Sequence, residues 1–495
     1  MKIRLAAIST SKNTDDILKY LKKLKNDNLQ VVLHIGDSST DYKASSITRM
    51  NTKKAAKGHL FTKNKWSGAA FSLFESSDFD INMEDFIDHL YRRSELNSYK
   101  CHQLRSIQDY KDYYFILADR ISEVLIERKV THCLFFNVPH LTYDTIVYQV
   151  ANSLSLPILI ISQSIFPNHF FSLANIKNFG NFLQSKSALP YNVAKGRQHK
   201  WFYMKDIKQE YEESAKLTVG STIQFLTFLL IKQPLKMLNP FYVTKLFKHM
   251  IKINHQFPKW RDPFAIFFHE NSLAYFDYLA QFEKQEINLS DRFVYFPLQL
   301  QPEMTTSALG GGFRDQAYAI ECLANILPKD VRILVKENPK QNSYMRGPMF
   351  FHRLNRIKSV FFLPSWANTH ELIEKSCFVA TITGTAGWEA LTQGKPVLAF
   401  GKAWYRKFEG VFEWQNALTF DAITSKKFDH SSIKLNAGML LSRSHSGVID
   451  RHYQELVPNF DQEQNNYQVA KVIWELLNGE RKMTFVDTNS RYNQH

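Results

Sequence analysis

Short apolar runs alternate with amphipathic stretches along the first 177 residues. Positions 3–8 read as a buried strand, 15–25 as a helix and 31–35 as a second strand. This βαβ rhythm places a parallel sheet between helices. It returns with a helix ending at 121–128, a strand at 133–136, a helix over 143–154 and a strand at 157–161. From 178 to 290 the pattern changes to long basic, aromatic-rich helical stretches, among them 223–231 and 242–253. Pro234 and Pro240 divide them, because a fixed φ and a missing N–H interrupt a helix. Alternation resumes with strands at 293–296, 332–335, 379–382 and 397–400 and helices over 315–327 and near 370–375. A late amphipathic helix follows at 466–477, and the polar tail after Gly479 is expected to be loose. The reading is α/β, with Rossmann-like domains at 1–177 and 291–460, a helical insertion at 178–290, and a helix and tail at 461–495.

Length agrees with this division, since 495 residues exceed what one core usually supports. The net charge of +15 favours anionic partners: nucleic acid, an acidic membrane face, a nucleotide sugar or an acidic glycan. Nucleic acid ranks last, because the chain has no arginine-rich arm or RNA-binding signature. Cys101, Cys133, Cys322 and Cys377 stand far apart, without the close pairs of zinc or redox sites, so no metal is expected. The apolar run at the N-terminus is too short for a signal peptide, and 223–231 is about half the ~20 residues of a membrane span. A cytoplasmic protein is expected. Yet the interleaved Phe, Leu and Lys residues between Thr222 and Lys252 suit a helix lying on the anionic inner face of the cytoplasmic membrane.

The segment from Thr381 to Gly401 reads strand, glycine turn, short helix, glycine stop, strand. Gly384 and Gly387 would let the backbone approach a ligand, while Thr383 and Thr385 offer hydroxyls beside the positive end of the helix, a setting for phosphate. Glu389, in the first turn, would accept ribose hydroxyls. Upstream, the strand at 293–296 leads to Glu303, a candidate acid, base or hydroxyl acceptor, and to the triple glycine 310–312 with Arg314, a candidate diphosphate contact. Lys336 and Glu337 end another strand, at the carboxyl edge where α/β sheets bind ligands. In the first domain His34, Asp37 and His140 fall at predicted strand ends, each a candidate base or positioning group.

These pieces resemble the bacterial capsule polysaccharide biosynthesis family, which includes Kdo transferases. The resemblance runs through residues 296–303, the strand with Lys336-Glu-Asn-Pro339, Thr381 to Glu389, and 394–401 with Trp404-Tyr405. Where the family usually has His-Pro, this chain has Asn338-Pro339. The resemblance implies a GT-B-like pair of Rossmann-like domains facing a cleft. It also implies transfer of a sugar from a CMP- or UDP-linked donor, bound by the C-terminal domain, to a glycan or glycolipid acceptor on the first. The nucleotide sugar is then a co-substrate and no cofactor is required. Two other readings stay open: a non-catalytic assembly or glycan-binding subunit, and an SGNH-like hydrolase with Ser38 of Gly36-Asp-Ser as nucleophile, which lacks its Asp-x-x-His partner.

Overall fold

The computed structural model describes residues 2–24, 28–36, 39, 41–48, 65–96, 104, 106–183, 188–196, 223, 226–227, 229–231, 234–256, 287–301, 303–338, 341, 346, 348–363 and 367–488. The first sheet is built from β1 (Ile3–Ile8), β2 (Leu29–Ile35), β3 (His132–Phe135), β4 (Ile158–Gln163) and β5 (His169–Leu173). β2, β1, β3 and β4 lie parallel in that spatial order, and β5 turns back antiparallel to β4. Apolar residues fill both faces, as expected of a sheet whose crossovers are helices. These are α1 (Lys12–Leu24), α2 (Phe79–Leu96), α3 (Ile107–Glu127) and α4 (Thr142–Ser153). On α1, Ile17, Leu18 and Leu21 face the sheet at helical spacing while Lys22 and Lys23 occupy the last turn, where cations suit the dipole.

In the insertion, α5 (Pro234–Met237) and α6 (Pro240–Gln256) are described. Proline opens both, in keeping with its tolerance in a first helical turn, and the Asn239 side chain accepts from the N–H of Phe241 at 3.0 Å.

The second sheet comprises β6 (Phe293–Pro297), β7 (Arg332–Lys336), β8 (Val360–Leu363), β9 (Val379–Thr381), β10 (Val397–Ala399) and β11 (Val411–Glu413). All are parallel, in the order β8-β7-β6-β9-β10-β11. Numbered within the domain this is 3-2-1-4-5-6, the Rossmann arrangement. Its helices include α7 (Gln316–Ile326), α8 (Thr369–Lys375) and α9 (Thr385–Thr392). The protein thus has two Rossmann-like lobes.

The chain then returns. Strand β12 (His445–Ser446) pairs antiparallel with β5 as the edge of the first sheet. Helix α10 (Gln462–Leu477) packs Val469, Val472, Ile473 and Leu476 into one core with Ile17, Leu18 and Leu21 of α1. This corrects the expected boundary at 460, because the second unit's segment crosses back by residue 445. It also corrects the loose tail: Thr484 and Phe485 are buried, and the Phe485 N–H donates to the Ser172 carbonyl at 3.0 Å. Between the lobes Phe166 meets Trp404 and Trp388, with ring centroids 5.4 and 6.3 Å away. An added Cβ on Gly180 would lie 2.1 Å from the Ala403 carbonyl oxygen, so the backbones of the lobes touch there.

Candidate active site

The second sheet reverses strand order between β6 and β9, and chain leaving both strands enters the crevice at that point, where open α/β sheets hold ligands. Beyond β6, Gln299 and Gln301 are buried. The Gln299 N–H donates to Gln316 Oε1 at 2.8 Å, and its carbonyl accepts from Gln316 Nε2 at 2.9 Å. Gln301 makes the same reciprocal pair with Gln341 at 2.9 and 3.0 Å. A primary amide both donates and accepts, so each pair satisfies backbone that has left the ladder. The Gln299 side chain accepts from the Thr383 N–H at 3.2 Å, fixing the loop after β9 to the loop after β6.

Within that loop the Thr383 hydroxyl donates to the Thr305 carbonyl at 2.6 Å, and Thr385 begins α9 half-buried. Gly384 has φ −68°, open to any residue, but a Cβ there would lie 2.0 Å from Gln299 Nε2. At Gly387 it would lie 2.2 Å from the Tyr405 oxygen, whose hydroxyl donates to the Gly384 carbonyl at 2.5 Å. The two glycines therefore make room for protein side chains, which corrects the expectation that their space admits a ligand. The N-terminus of α9 nonetheless lies at the crevice, and although the Gly387 N–H donates to the Gly384 carbonyl at 3.1 Å, the start of a helix is where N–H groups lack intrahelical partners.

Glu389 is in the second turn of α9 and only 3% exposed, which corrects its placement as an accessible first-turn ribose acceptor. The helix face that carries it packs inward. Its charge acts on Lys336, Tyr295 and Tyr405, all buried. The Lys336 ammonium donates to the Ala367 carbonyl at 3.0 Å and Thr369 Oγ1 at 2.7 Å. Burial pulls Lys336 down to about 8, against the raising effect of Glu389. Glu337 is also buried: Oε1 accepts from the Asn338 N–H at 2.7 Å and from the Arg346 guanidinium, while Oε2 and Arg346 Nε are buried without hydrogen-bond partners among the described residues. Arg346 also donates to the Gln299 carbonyl and lies over the Phe350 ring at 5.5 Å. Sequence reasoning missed it, since nothing around a lone arginine marks it as buried.

Arg314 is ion-paired with Asp85 of α2, so the residue expected to meet a diphosphate joins the two lobes. Glu303 is exposed and accepts from the Thr305 hydroxyl at 2.9 Å. A second cation, Lys402, was not anticipated. It follows β10, its N–H donates to the Leu309 carbonyl at 2.8 Å, and its Nζ lies 4.0 Å from where a Cβ of Gly311 would be. Burial lowers its pKa, and the charges of Arg406 and Lys177 lower it further, against the raising effect of Glu413.

At the carboxyl edge of the first sheet, His140 follows β3, and its Nδ1 lies 2.7 Å from the Val138 carbonyl. A carbonyl only accepts, so Nδ1 carries a proton, and in the neutral ring Nε2 is then the basic nitrogen. Asp144 holds the turn, accepting from the N–H groups of His140 and Leu141 at 3.0 and 2.6 Å. His34 Nε2 lies 2.8 Å from the Ser9 hydroxyl and 3.1 Å from Asp15 Oδ1. Asp37 and Ser38 lie outside the described residues. Among the described residues no group of His, Cys, Asp and Glu could hold a metal ion, and no helix is long and apolar enough to cross a membrane.

The capsule polysaccharide biosynthesis protein family matches residues 253–435, a little over a third of the chain, including the whole crevice just described. A search among curated protein sequences finds no match. Similar solved structures include the β-Kdo 2,7 transferase of Thermosulfurimonas dismutans KpsC, 10% identical, covering 81% of this chain and 98% of that one with a TM-score of 0.31. The β-Kdo 2,4 transferase of the same KpsC is 13% identical over 64% of this chain and 82% of that one, TM-score 0.28. Anabaena HepE in complex with UDP and glucose is 11% identical over 96% of this chain and 100% of that one, TM-score 0.27. Identities and TM-scores this low leave the family match as the finding that carries the assignment. Over residues 253–435, which hold the crevice and its motifs, this chain is similar to the capsule polysaccharide biosynthesis proteins.

Proposed function

We propose that the protein is a glycosyltransferase of surface or capsular polysaccharide synthesis that uses a nucleotide-activated donor, CMP- or UDP-linked. The observation that carries this reading is the start of α9 at the strand-order reversal of a Rossmann sheet, in the segment that matches the family. The donor's phosphate binds there, and a glycan or glycolipid acceptor is held by the first lobe. In the reaction an acceptor hydroxyl oxygen bonds to the anomeric carbon as that carbon's bond to the phosphate oxygen breaks. The electron pair stays with the nucleotide, and the acceptor proton passes to His140 Nε2.

The first test is thermal shift of the full chain with CMP, UMP, UDP, GDP and ADP. A ligand at ~100 times its dissociation constant stabilises the fold by ~2.7 kcal/mol. A shift of several degrees with a cytidine or uridine nucleotide, and slow hydrolysis of the matching nucleotide sugar, are expected. No shift with any nucleotide at millimolar concentration would replace this reading with the non-catalytic subunit.

We also propose that the acceptor is met at an anionic bilayer. Leu235, Leu238 and Phe241 are 81%, 80% and 85% exposed around the corner between α5 and α6, beside exposed Lys236, Lys245 and Lys248. No Asp or Glu occurs between Glu213 and Asp262. Apolar tips flanked by lysines suit a lipid interface with negative headgroups. Cosedimentation with phosphatidylglycerol vesicles but not with phosphatidylcholine vesicles is expected, and loss of that binding in Leu238→Ser/Phe241→Ser. Equal binding to both vesicles would reject it.

A further inference from the structure

Lys402 is a half-buried cation in poor company. Its ammonium makes no ion pair or hydrogen bond among the described residues, and its charged neighbours are Glu413, which favours its charge, and the cations Arg406 and Lys177, which oppose it. Those two are already engaged. Arg406 donates to Glu413 at 3.2 Å and to the Lys177 carbonyl at 2.9 Å, and Lys177 pairs with Asp78 at 3.4 Å. Glu413 is shared further with Lys407 at 2.5 Å. Glu413 therefore contacts the neighbours of Lys402 and reaches Lys402 only through its field. A buried charge is normally paired, so this one is either a standing cost or the protein half of a site.

What faces it is glycine. Gly311 has φ +55°, in the left-handed region that glycine adopts without strain, and a Cβ on Gly312 would meet nothing within 4 Å. The loop is held beside the crevice on both sides. A Cβ on Gly401 would lie 2.7 Å from Thr383 Cγ2 and 3.1 Å from Gly310 Cα, which places the triple glycine, Lys402 and the approach to α9 in one contiguous wall. A cation next to bare backbone, with open space in front, is a setting for phosphate oxygens: the ammonium supplies charge and the loop close approach.

We propose that Lys402 and the Gly310–Gly312 backbone form a phosphate-binding site, which takes the phosphate or diphosphate of the nucleotide donor. The site itself rests on this geometry alone, and only the identity of the anion rests on the transferase reading. Removing the cation should then have two opposite effects. Without ligand, the fold gains stability because an unpaired charge leaves a partly buried place. With ligand, affinity falls because the phosphate loses its counter-charge.

The experiment uses the full chain with inorganic pyrophosphate, at ionic strength matched with sodium chloride, on wild type, Lys402→Met, Lys402→Gln and Lys407→Met. Wild type and Lys407→Met should be stabilised by millimolar pyrophosphate, and both Lys402 variants should bind it ~10-fold or more weakly. Unliganded Lys402→Met should melt above wild type. The proposal is overturned if pyrophosphate stabilises the Lys402 variants as well as wild type, if it stabilises none of the proteins, or if both unliganded Lys402 variants melt below wild type. Should pyrophosphate behave as expected while no nucleotide binds, the phosphate site stands and the transferase reading falls.

Discussion

Arg314, the last residue of the 3-10 turn that begins at Gly311, is ion-paired with Asp85 on α2, so a residue of the second lobe is neutralised by one of the first. The guanidinium is mostly buried, and desolvation lowers its pKa. Arg314→Met and Asp85→Leu should therefore each destabilise the protein, and together by less than their sum, with a coupling of ~0.5–3 kcal/mol in urea unfolding. Additive losses would mean that the pair does not form in solution. If Arg314 contacts the donor as well, Asp85→Leu should tighten nucleotide binding by releasing it.

Lys336 and Glu389 are both buried, and each moderates the cost of the other's charge. Glu389→Gln should lower stability by ~1–2 kcal/mol, since the buried ammonium loses a favourable field while keeping its bonds to Ala367 and Thr369. Lys336→Met/Glu389→Gln should recover part of that loss. The pH dependence has a fixed sign. Folded Lys336 releases its proton at about 8, whereas the unfolded side chain holds it to ~10.4. Between these values the unfolded state binds more protons, so this group's contribution to stability rises with pH. Urea midpoints at pH 7.5 and 9.5, compared between wild type and Lys336→Met, measure it.

His445 closes the first sheet through β12. Its Nε2 lies 2.6 Å from the Ser172 hydroxyl, and burial, followed by the charge of Arg481, lowers its pKa to about 4. The unfolded ring protonates near ~6.5. From pH 6.5 down to 4 the unfolded state takes up the extra proton, so stability falls as the solution is acidified. Replacing His445 with Gln should flatten that part of the stability profile. An unchanged acid limb would assign the loss to other groups.

His140→Gln should reduce turnover ~10²–10⁴-fold while leaving donor affinity and melting temperature near wild type, because glutamine fills similar space without a basic nitrogen. A rise in KM at unchanged kcat would show that His140 binds the acceptor and takes no proton. A melting temperature several degrees lower would make its bond to the Val138 carbonyl the main contribution.

The architecture was largely legible because both lobes rest on local signals. Apolar runs of four to seven residues alternate with helical periodicity, and β1, β2, β3, β6 and β7 form within two residues of where that pattern puts them. The motif from Thr381 to Gly401 was equally local: a strand, a helix start and a second strand lie in one stretch of chain. Partnership is a different kind of information. Glu389 and Lys336 stood out as ligand contacts because charged residues near a helix start or strand end usually meet solvent, yet the fold turns both inward. Gly384 and Gly387 were right for close approach and wrong about its object, because only the folded chain brings Gln299 and Tyr405 against them.

Residue spacing within single elements and turns was enough to set the two βα units, the basic insertion between them and the motifs at the carboxyl edge of the second sheet. The tertiary structure alone decided how distant residues pair: β12 with β5, α10 on α1, Arg314 with Asp85, and Lys402 beside the triple glycine. These contacts join parts of the chain far apart in sequence, where periodicity carries no signal, and their energy comes from burial and charge that exist only once the chain has folded.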